Sequence, residues 1–221
     1  MKKFLVIILF IFLNLTGCDQ QKEDSSKIKD NSTAEVKKDS VSQDTIESIS
    51  NIKVISEGDE NAKIKIIIFE SLTCSHCANF HKNVYPGLKE GFIDKDHVYI
   101  EFKNFPLDKA AMNASKIAHC RNDGNSEILH YLFDNQEQWI KGKTIEELNK
   151  SIKSFIEKSN FNLDVDVCLS NKEAEDHILE DRIEGAIKFK IDATPTLIIN
   201  GEKFDNPTNY KKLKKFLEKL I

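Results

Sequence analysis

The chain has 221 residues and a formal net charge of −4. That balance gives no electrostatic case for a nucleic-acid partner, and neither a P-loop nor a dinucleotide-binding fingerprint occurs in it. Beyond residue 50 about 170 residues remain, enough for one domain with a sizeable core.

Lys2 and Lys3 precede a continuous apolar run over residues 4–13. At roughly ten to twelve residues the run is too short for a membrane span, which needs about 20, and it reads as the core of an export signal over residues 1–17. The signal ends in Leu15-Thr16-Gly17-Cys18, which resembles the bacterial lipobox. That resemblance implies lipidation of Cys18, which becomes the first residue of the mature protein and holds it to a membrane. Residues 18–50 contain no aromatic side chain and are rich in Ser, Lys, Asp, Glu and Gln. Such a segment cannot bury enough apolar surface to offset its ordering entropy. As a flexible tether it spans roughly 30 Å.

Residues 52–55 suggest a short first strand, and residues 63–70, with Ile64-Lys65-Ile66-Ile67-Ile68-Phe69, a second one buried on both faces. Cys74-Ser75-His76-Cys77 follows at once, two thiols three positions apart with a histidine between them. At a strand end with a helix opening behind it, the first sulfur lies near unsatisfied backbone N–H groups and the positive end of a helix dipole. Both favour the thiolate, the reactive form. The helix carries Phe80, Val84 and Leu88 on one side, and Pro86 kinks or ends it. Residues 97–103 alternate like a third strand and reach Asn104-Phe105-Pro106-Leu107.

A helical section follows over residues 110–118 and 128–139. Thr144-Ile145-Glu146-Glu147 has the form of a capping box before a helix to about residue 158, and a further helix covers about 172–189. Asn200-Gly201 between apolar runs signals a hairpin. Lys211, Lys212, Lys214, Lys215 and Lys219 interleave with Tyr210, Leu213, Phe216, Leu217 and Leu220 at helical spacing, the pattern of a solvated face on an amphipathic helix.

Five cysteines are an odd count, and setting lipidated Cys18 aside leaves Cys74, Cys77, Cys120 and Cys168. In an oxidising extracytoplasmic compartment four suggest two pairs. Cys74 with Cys77 is the close one, which leaves Cys120 with Cys168 as a structural staple.

The segments Ser71-Leu72-Thr73-Cys74-Ser75-His76-Cys77-Ala78-Asn79-Phe80-His81, Phe105-Pro106-Leu107, Ala118-His119-Cys120, Cys168 and Ala193-Thr194-Pro195-Thr196 before Asn200-Gly201 together resemble the DsbA-like branch of the thioredoxin superfamily. More particularly they resemble its alphaproteobacterial kind, with a second cysteine pair. The resemblance covers the whole of residues 51–221. It implies an α/β, thioredoxin-like fold with an inserted helical domain at about residues 108–188. It also implies a cis Pro195 whose Thr194–Pro195 bond faces the redox pair, leaving the Thr194 backbone free to pair with an extended peptide.

The implied activity is thiol:disulfide exchange without a cofactor or metal, introducing disulfides into reduced exported polypeptides. The protein would be a periplasmic, lipid-anchored monomer, reoxidised by a quinone-linked, DsbB-like membrane oxidase. Two departures stand out. Ser75 replaces the proline of the commonest oxidase motif, and Ile68 occupies a position where members often carry a buried acid. Glu70, on the same strand face as Ile68, is either a proton acceptor for Cys77 or a solvated strand-end carboxylate.

In this chemistry Cys74 is the nucleophile, Cys77 resolves the mixed disulfide, and His76 offers a ring N–H or a positive charge to the Cys74 thiolate. A disulfide isomerase or reductase is the near alternative. A metal-binding chaperone would use Cys74, His76, Cys77 and His81 as soft ligands, and a purely structural disulfide-bonded lipoprotein would need none of this reactivity. His81 is expected at the surface or in packing, and His119 and His130 join no recognisable constellation.

Overall fold

In the computed structural model, which describes residues 51–221, five strands form one mixed sheet. They are β1 (Ile55–Glu57), β2 (Ile64–Glu70), β3 (Val98–Asn104), β4 (Thr196–Ile199) and β5 (Glu202–Phe204), in the order β1-β3-β2-β4-β5. The expected signal over 1–17, lipidated Cys18 and the tether to residue 50 lie outside the described residues. β2 and β3 run parallel from Ile64↔Val98 to Glu70↔Asn104, and the other pairings are antiparallel.

Side chains alternate across β2, so Ile64, Ile66 and Ile68 join Val98, Ile100 and Phe102 of β3 in the main core. Phe69 and Ile67 turn the other way, into a smaller cluster with Phe105, Ile191 and Ile198. The same two-residue period puts Glu70 on the face of Ile66 and Ile68. β2 is covered on both faces only toward its end, because Lys65 near its start is exposed. The first strand lies later than residues 52–55 suggest. Upstream of Ile55 the backbone is bonded to a loop instead: Asn122 accepts from Lys53 N at 2.7 Å and donates to Asn51 O at 3.1 Å.

Cys74 opens helix α1 (Ser75–Asn83), which stops before α2 (Tyr85–Leu88). Pro86 lies in the first turn of α2, where its missing N–H leaves no hydrogen bond unmade. A π-helical turn over Lys89–Ile93 leads back to β3.

Six helices separate β3 from β4: α3 (Lys109–Ala118), α4 (Glu127–Asp134), α5 (Gln136–Trp139), α6 (Ile145–Ile156), α7 (Val165–Ser170) and α8 (Lys172–Lys188). This is the helical domain inserted into a thioredoxin-like sheet. The start of α6 is capped as the sequence suggests, with Thr144 and Glu147 forming a complete capping box. The short α7 escapes sequence periodicity and is nucleated by Asp164, which accepts from Asp166 N and Val167 N. α9 (Tyr210–Leu217) closes the chain, burying Leu213 and Leu217 and leaving its lysines exposed.

α8 ties the insertion to the sheet, packing on both α3 and β3. Asp181 accepts from Asn104 N at 3.0 Å and Asn104 Nδ2 at 2.8 Å, and Lys103 Nζ lies 2.6 Å from Glu184. Gly185 permits the approach, since a Cβ there would come within 2.9 Å of the Phe69 ring. Within the insertion, Cys120 after α3 is bonded to Cys168 in α7, with Cα atoms 5.2 Å apart and the two residues 48 positions apart in sequence. Closing a loop of that length restricts the unfolded chain by about 4 kcal/mol in the chain-entropy account. The double variant Cys120→Ala/Cys168→Ala is therefore expected to lose up to about 4 kcal/mol in urea unfolding. An unchanged midpoint would mean that helix packing alone holds the insertion.

Candidate active site

β2 ends at Glu70, and Ser71 to Thr73 carry the chain to Cys74, the N-cap of α1 with φ −80° and ψ 119°. The Cys74 carbonyl accepts from Cys77 N and Ala78 N, both at 3.1 Å. Its own side chain is left at the mouth of the helix, where the first-turn N–H groups point. Residues of the inserted domain hold this loop. Gln136 Nε2 donates to Leu72 O at 2.8 Å and to Cys74 O at 3.1 Å, and Thr73 Oγ1 donates to Asp108 Oδ2 at 2.8 Å. Asp108 also caps α3, so one carboxylate fixes both the loop and the start of the insertion. Neither Gln136 nor Asp108 stands out in the sequence, because the residues they bind lie 35 to 64 positions away.

The two thiols are free and sharply different: Cys74 is partly exposed, while Cys77 is fully buried. The Cys77 thiol donates to the Cys74 sulfur and outweighs the opposing effect of burial. Thr194 and the backbone N–H groups of Cys77 and His76 add to it, and the Cys74 pKa falls to about 5. Burial, that same donation and the nearby Glu70 charge push the Cys77 thiol far above the ordinary cysteine range. The Thr194–Pro195 peptide is cis, and the Thr194 carbonyl oxygen lies 3.4 Å from Cys74 Sγ. The His76 ring is exposed and makes no hydrogen bond among the described residues, so its backbone is what reaches Cys74.

Glu70 is buried at 4% exposure rather than solvated at the strand end. Burial raises its carboxyl pKa well above the usual range; the His130 charge opposes this and the Cys74 charge adds to it. Its Oε2 lies 2.7 Å from His81 Nε2, and its Oε1 is buried without a hydrogen-bond partner among the described residues. His81 is buried too, stacked on Phe133 with ring centroids 4.0 Å apart, so it packs but stays away from the surface. Both its ring nitrogens are engaged, by Glu70 and by His130, which removes it from any ligand set with the cysteines. His119 lies at the end of β3, 3.0 Å from Nδ2 of Asn104, the residue paired with Glu70 across the sheet; burial and then the neighbouring His177 lower its pKa to about 4.

The thioredoxin family model matches residues 50–219. A relative from Rickettsia bellii, whose name places it among the protein-disulfide oxidoreductases, is 27% identical over 67% of this chain and 58% of its own. The chain thus spans somewhat over half the length of this relative and of those from Rickettsia typhi and Rickettsia prowazekii. Disulfide bond formation protein D of Bacillus subtilis is 26% identical over 73% of this chain and 74% of its own. Among solved structures, alpha-DsbA1 of Wolbachia pipientis superposes with a TM-score of 0.66 at 27% identity, over 76% of this chain and 90% of that one. The chain belongs to the thioredoxin family, in its DsbA-like branch.

Because folding lowers the Cys74 pKa from 9.0 to about 5, its thiolate stabilises the reduced protein fully above pH 9. That contribution shrinks as pH falls and is gone below about pH 5. Alkylation of the reduced protein by iodoacetamide, mapped by mass spectrometry, should therefore label Cys74 with a midpoint near pH 5 and spare Cys77 up to pH 9. A Cys74 midpoint near the free-cysteine value of about 8.5 would contradict the geometry.

Proposed function

We propose that the protein is a thiol:disulfide oxidase that introduces disulfides into exported polypeptides. The observation that carries this is the contrast between a Cys74 sulfur held as thiolate near neutral pH and a Cys77 thiol that resists ionisation. A stable Cys74 thiolate is a good leaving group and favours the reduced protein, so the Cys74–Cys77 disulfide is an oxidant.

A substrate thiolate attacks Cys74 Sγ, the Cys74–Cys77 bond breaks, and Cys77 leaves as a thiolate that takes a proton. A second substrate thiolate then attacks the substrate sulfur of the mixed disulfide. It departs with a new disulfide and frees the Cys74 thiolate, so two electrons pass to the protein. Glu70, buried at the end of β2 with a charge that acts on both sulfurs, is the group that gives Cys77 its proton and takes it back on reoxidation. Thr194 and Pro195 bind the substrate, with the Thr194 carbonyl 3.4 Å from the reacting sulfur accepting from an extended peptide. The exposed His76 imidazole offers its ring N–H to the Cys74 thiolate. Cys120–Cys168 keeps the domain that clamps the loop in one piece.

The setting proposed with this chemistry is the periplasm, with the monomer tethered through lipidated Cys18. A DsbB-like membrane oxidase would accept the two electrons from the Cys74–Cys77 dithiol and pass them to a quinone.

Ribonuclease separates the candidate activities. The oxidised protein should restore activity to reduced, unfolded ribonuclease at a rate far above its effect on the scrambled, fully disulfide-bonded form, and Cys74→Ser should abolish both. Faster rescue of the scrambled form would mark an isomerase and overturn the proposal. His76→Ala should shift the pH at which Cys74 reacts upward, and no shift would remove the imidazole from the mechanism.

A further inference from the structure

Glu70 is the first of four ionisable side chains that run in a line to the edge of the protein, and the exchange chemistry described above uses none of the other three. Glu70 Oε2 lies 2.7 Å from His81 Nε2, His81 Nδ1 lies 3.0 Å from His130 Nδ1, and His130 Nε2 lies 2.8 Å from Glu57 Oε1. β2, α1, α4 and β1 each contribute one residue. The inner pair is sealed, with Glu70 4% and His81 3% exposed. The outer pair opens to solvent, with side chains 18% exposed at His130 and 14% at Glu57. A cleft of about 400 Å³ lined by His81, Tyr85, Lys89, His130 and Asp134 meets it there.

We propose that Glu70, His81, His130 and Glu57 form a proton wire connecting the buried Cys77 thiol to solvent at the β1 edge. This deepens the oxidoreductase function proposed above and rests on it.

The contacts allow two self-consistent arrangements of hydrogens, each the reverse of the other. At the Nδ1–Nδ1 contact one ring donates and the other accepts. Burial, working against the Asp134 and Glu57 charges, keeps His81 neutral with a pKa of about 3, so it carries a single ring hydrogen. If that hydrogen sits on Nδ1 and goes to His130, Nε2 of His81 must accept, and Glu70 must be the protonated partner that donates to it. His130 Nε2–H then donates to Glu57. Burial works to raise the Glu57 pKa, but hydrogen bonds from His130, Ser126 and Tyr85 lower it to about 2. Every hydrogen points outward, and a shift of one proton along each link reverses them all.

The rings are fixed for this. His81 is stacked on Phe133 at 4.0 Å and His130 on Tyr85 at 4.2 Å. A network that only joined α1 to α4 would satisfy all its buried polar atoms. Here Glu70 Oε1 is left without a partner, on the carboxyl whose charge acts on both Cys74 and Cys77.

When Cys77–SH attacks a mixed disulfide on Cys74, it forms the Cys74–Cys77 bond and expels the partner thiolate. Glu70 passes its proton to His81 Nε2, His81 gives its Nδ1 proton to His130, and His130 releases its Nε2 proton through Glu57 to water. The Glu70 carboxylate left behind takes the Cys77 proton, so one proton leaves for each disulfide formed. Around the wire the facing charged and titratable groups are Cys74 and Cys77 at Glu70, Asp134 at His81, and Tyr85, Lys89 and Asp94 at the Glu57 end.

The test uses the reduced protein mixed with excess 5,5′-dithiobis(2-nitrobenzoate), followed by stopped-flow release of thionitrobenzoate. The first equivalent reports attack by Cys74, and the second reports attack by Cys77 with loss of its proton. His130→Ala is chosen because the His130 side chain is partly exposed and lines the cleft, where a small base can take its place. The second phase should slow on the order of 10²-fold and the first should hold. Added imidazole, small enough for the cleft, should restore the second phase to His130→Ala and do nothing for the wild type. Glu57→Gln, which leaves the shape unchanged, should slow the second phase and move its pH dependence. An unaltered second phase in both variants, or a slowed one that imidazole does not rescue, overturns the wire. Failure of the wild type to release the second equivalent overturns the exchange chemistry itself, so the two failures are told apart.

Discussion

Everything in this structure turns on one sulfur atom at the N-terminus of one helix. Cys74 caps α1, and its thiolate is met by the Cys77 thiol and by first-turn backbone N–H groups. The dipole of a nine-residue helix supports the same charge. Those interactions exist only for the charged form, so they act on the equilibrium between dithiol and disulfide rather than on the fold as a whole. A sulfur comfortable as a thiolate makes its disulfide reactive.

The placement of that sulfur is imposed from two sides. β2 delivers the chain to the mouth of the helix with its isoleucines buried on the core face, and the inserted domain grips the loop through Gln136 and Asp108. The staple between Cys120 and Cys168 thus has a consequence beyond stability, because the helices it joins belong to the domain that holds the active-site loop. The carboxyl of Glu70 occupies the core face of β2, where a hydrocarbon would pack at less cost. A buried acid there makes chemical sense beside a thiol that must change its protonation in every cycle.

Much of this was legible in the chain. Alternation along residues 97–103, the capping box at Thr144 and Glu147, and Asn200-Gly201, whose φ values of 49° and 89° suit a tight hairpin, each encode local structure locally. The CxHC pair and Thr194-Pro195 could be read because their chemistry depends on short spacing. The long-range partners could not. His130 lies 49 residues from His81 and 73 from Glu57, and no periodicity of either helix announces that they meet. Gln136 sits in a polar stretch that looks like solvent-facing surface, yet it is buried against the backbone of the redox loop. His76, prominent in the motif, contributes its backbone to the thiolate, a role to which its side chain gives no clue.

The most direct measurement is the reduction potential of the Cys74–Cys77 pair, equilibrated against glutathione buffers at pH 7. A thiolate stabilised as this one is predicts a value near about −120 mV, that of an oxidising disulfide donor. A value of about −230 mV or lower would contradict the account, because the helix mouth would then have failed to favour the reduced state.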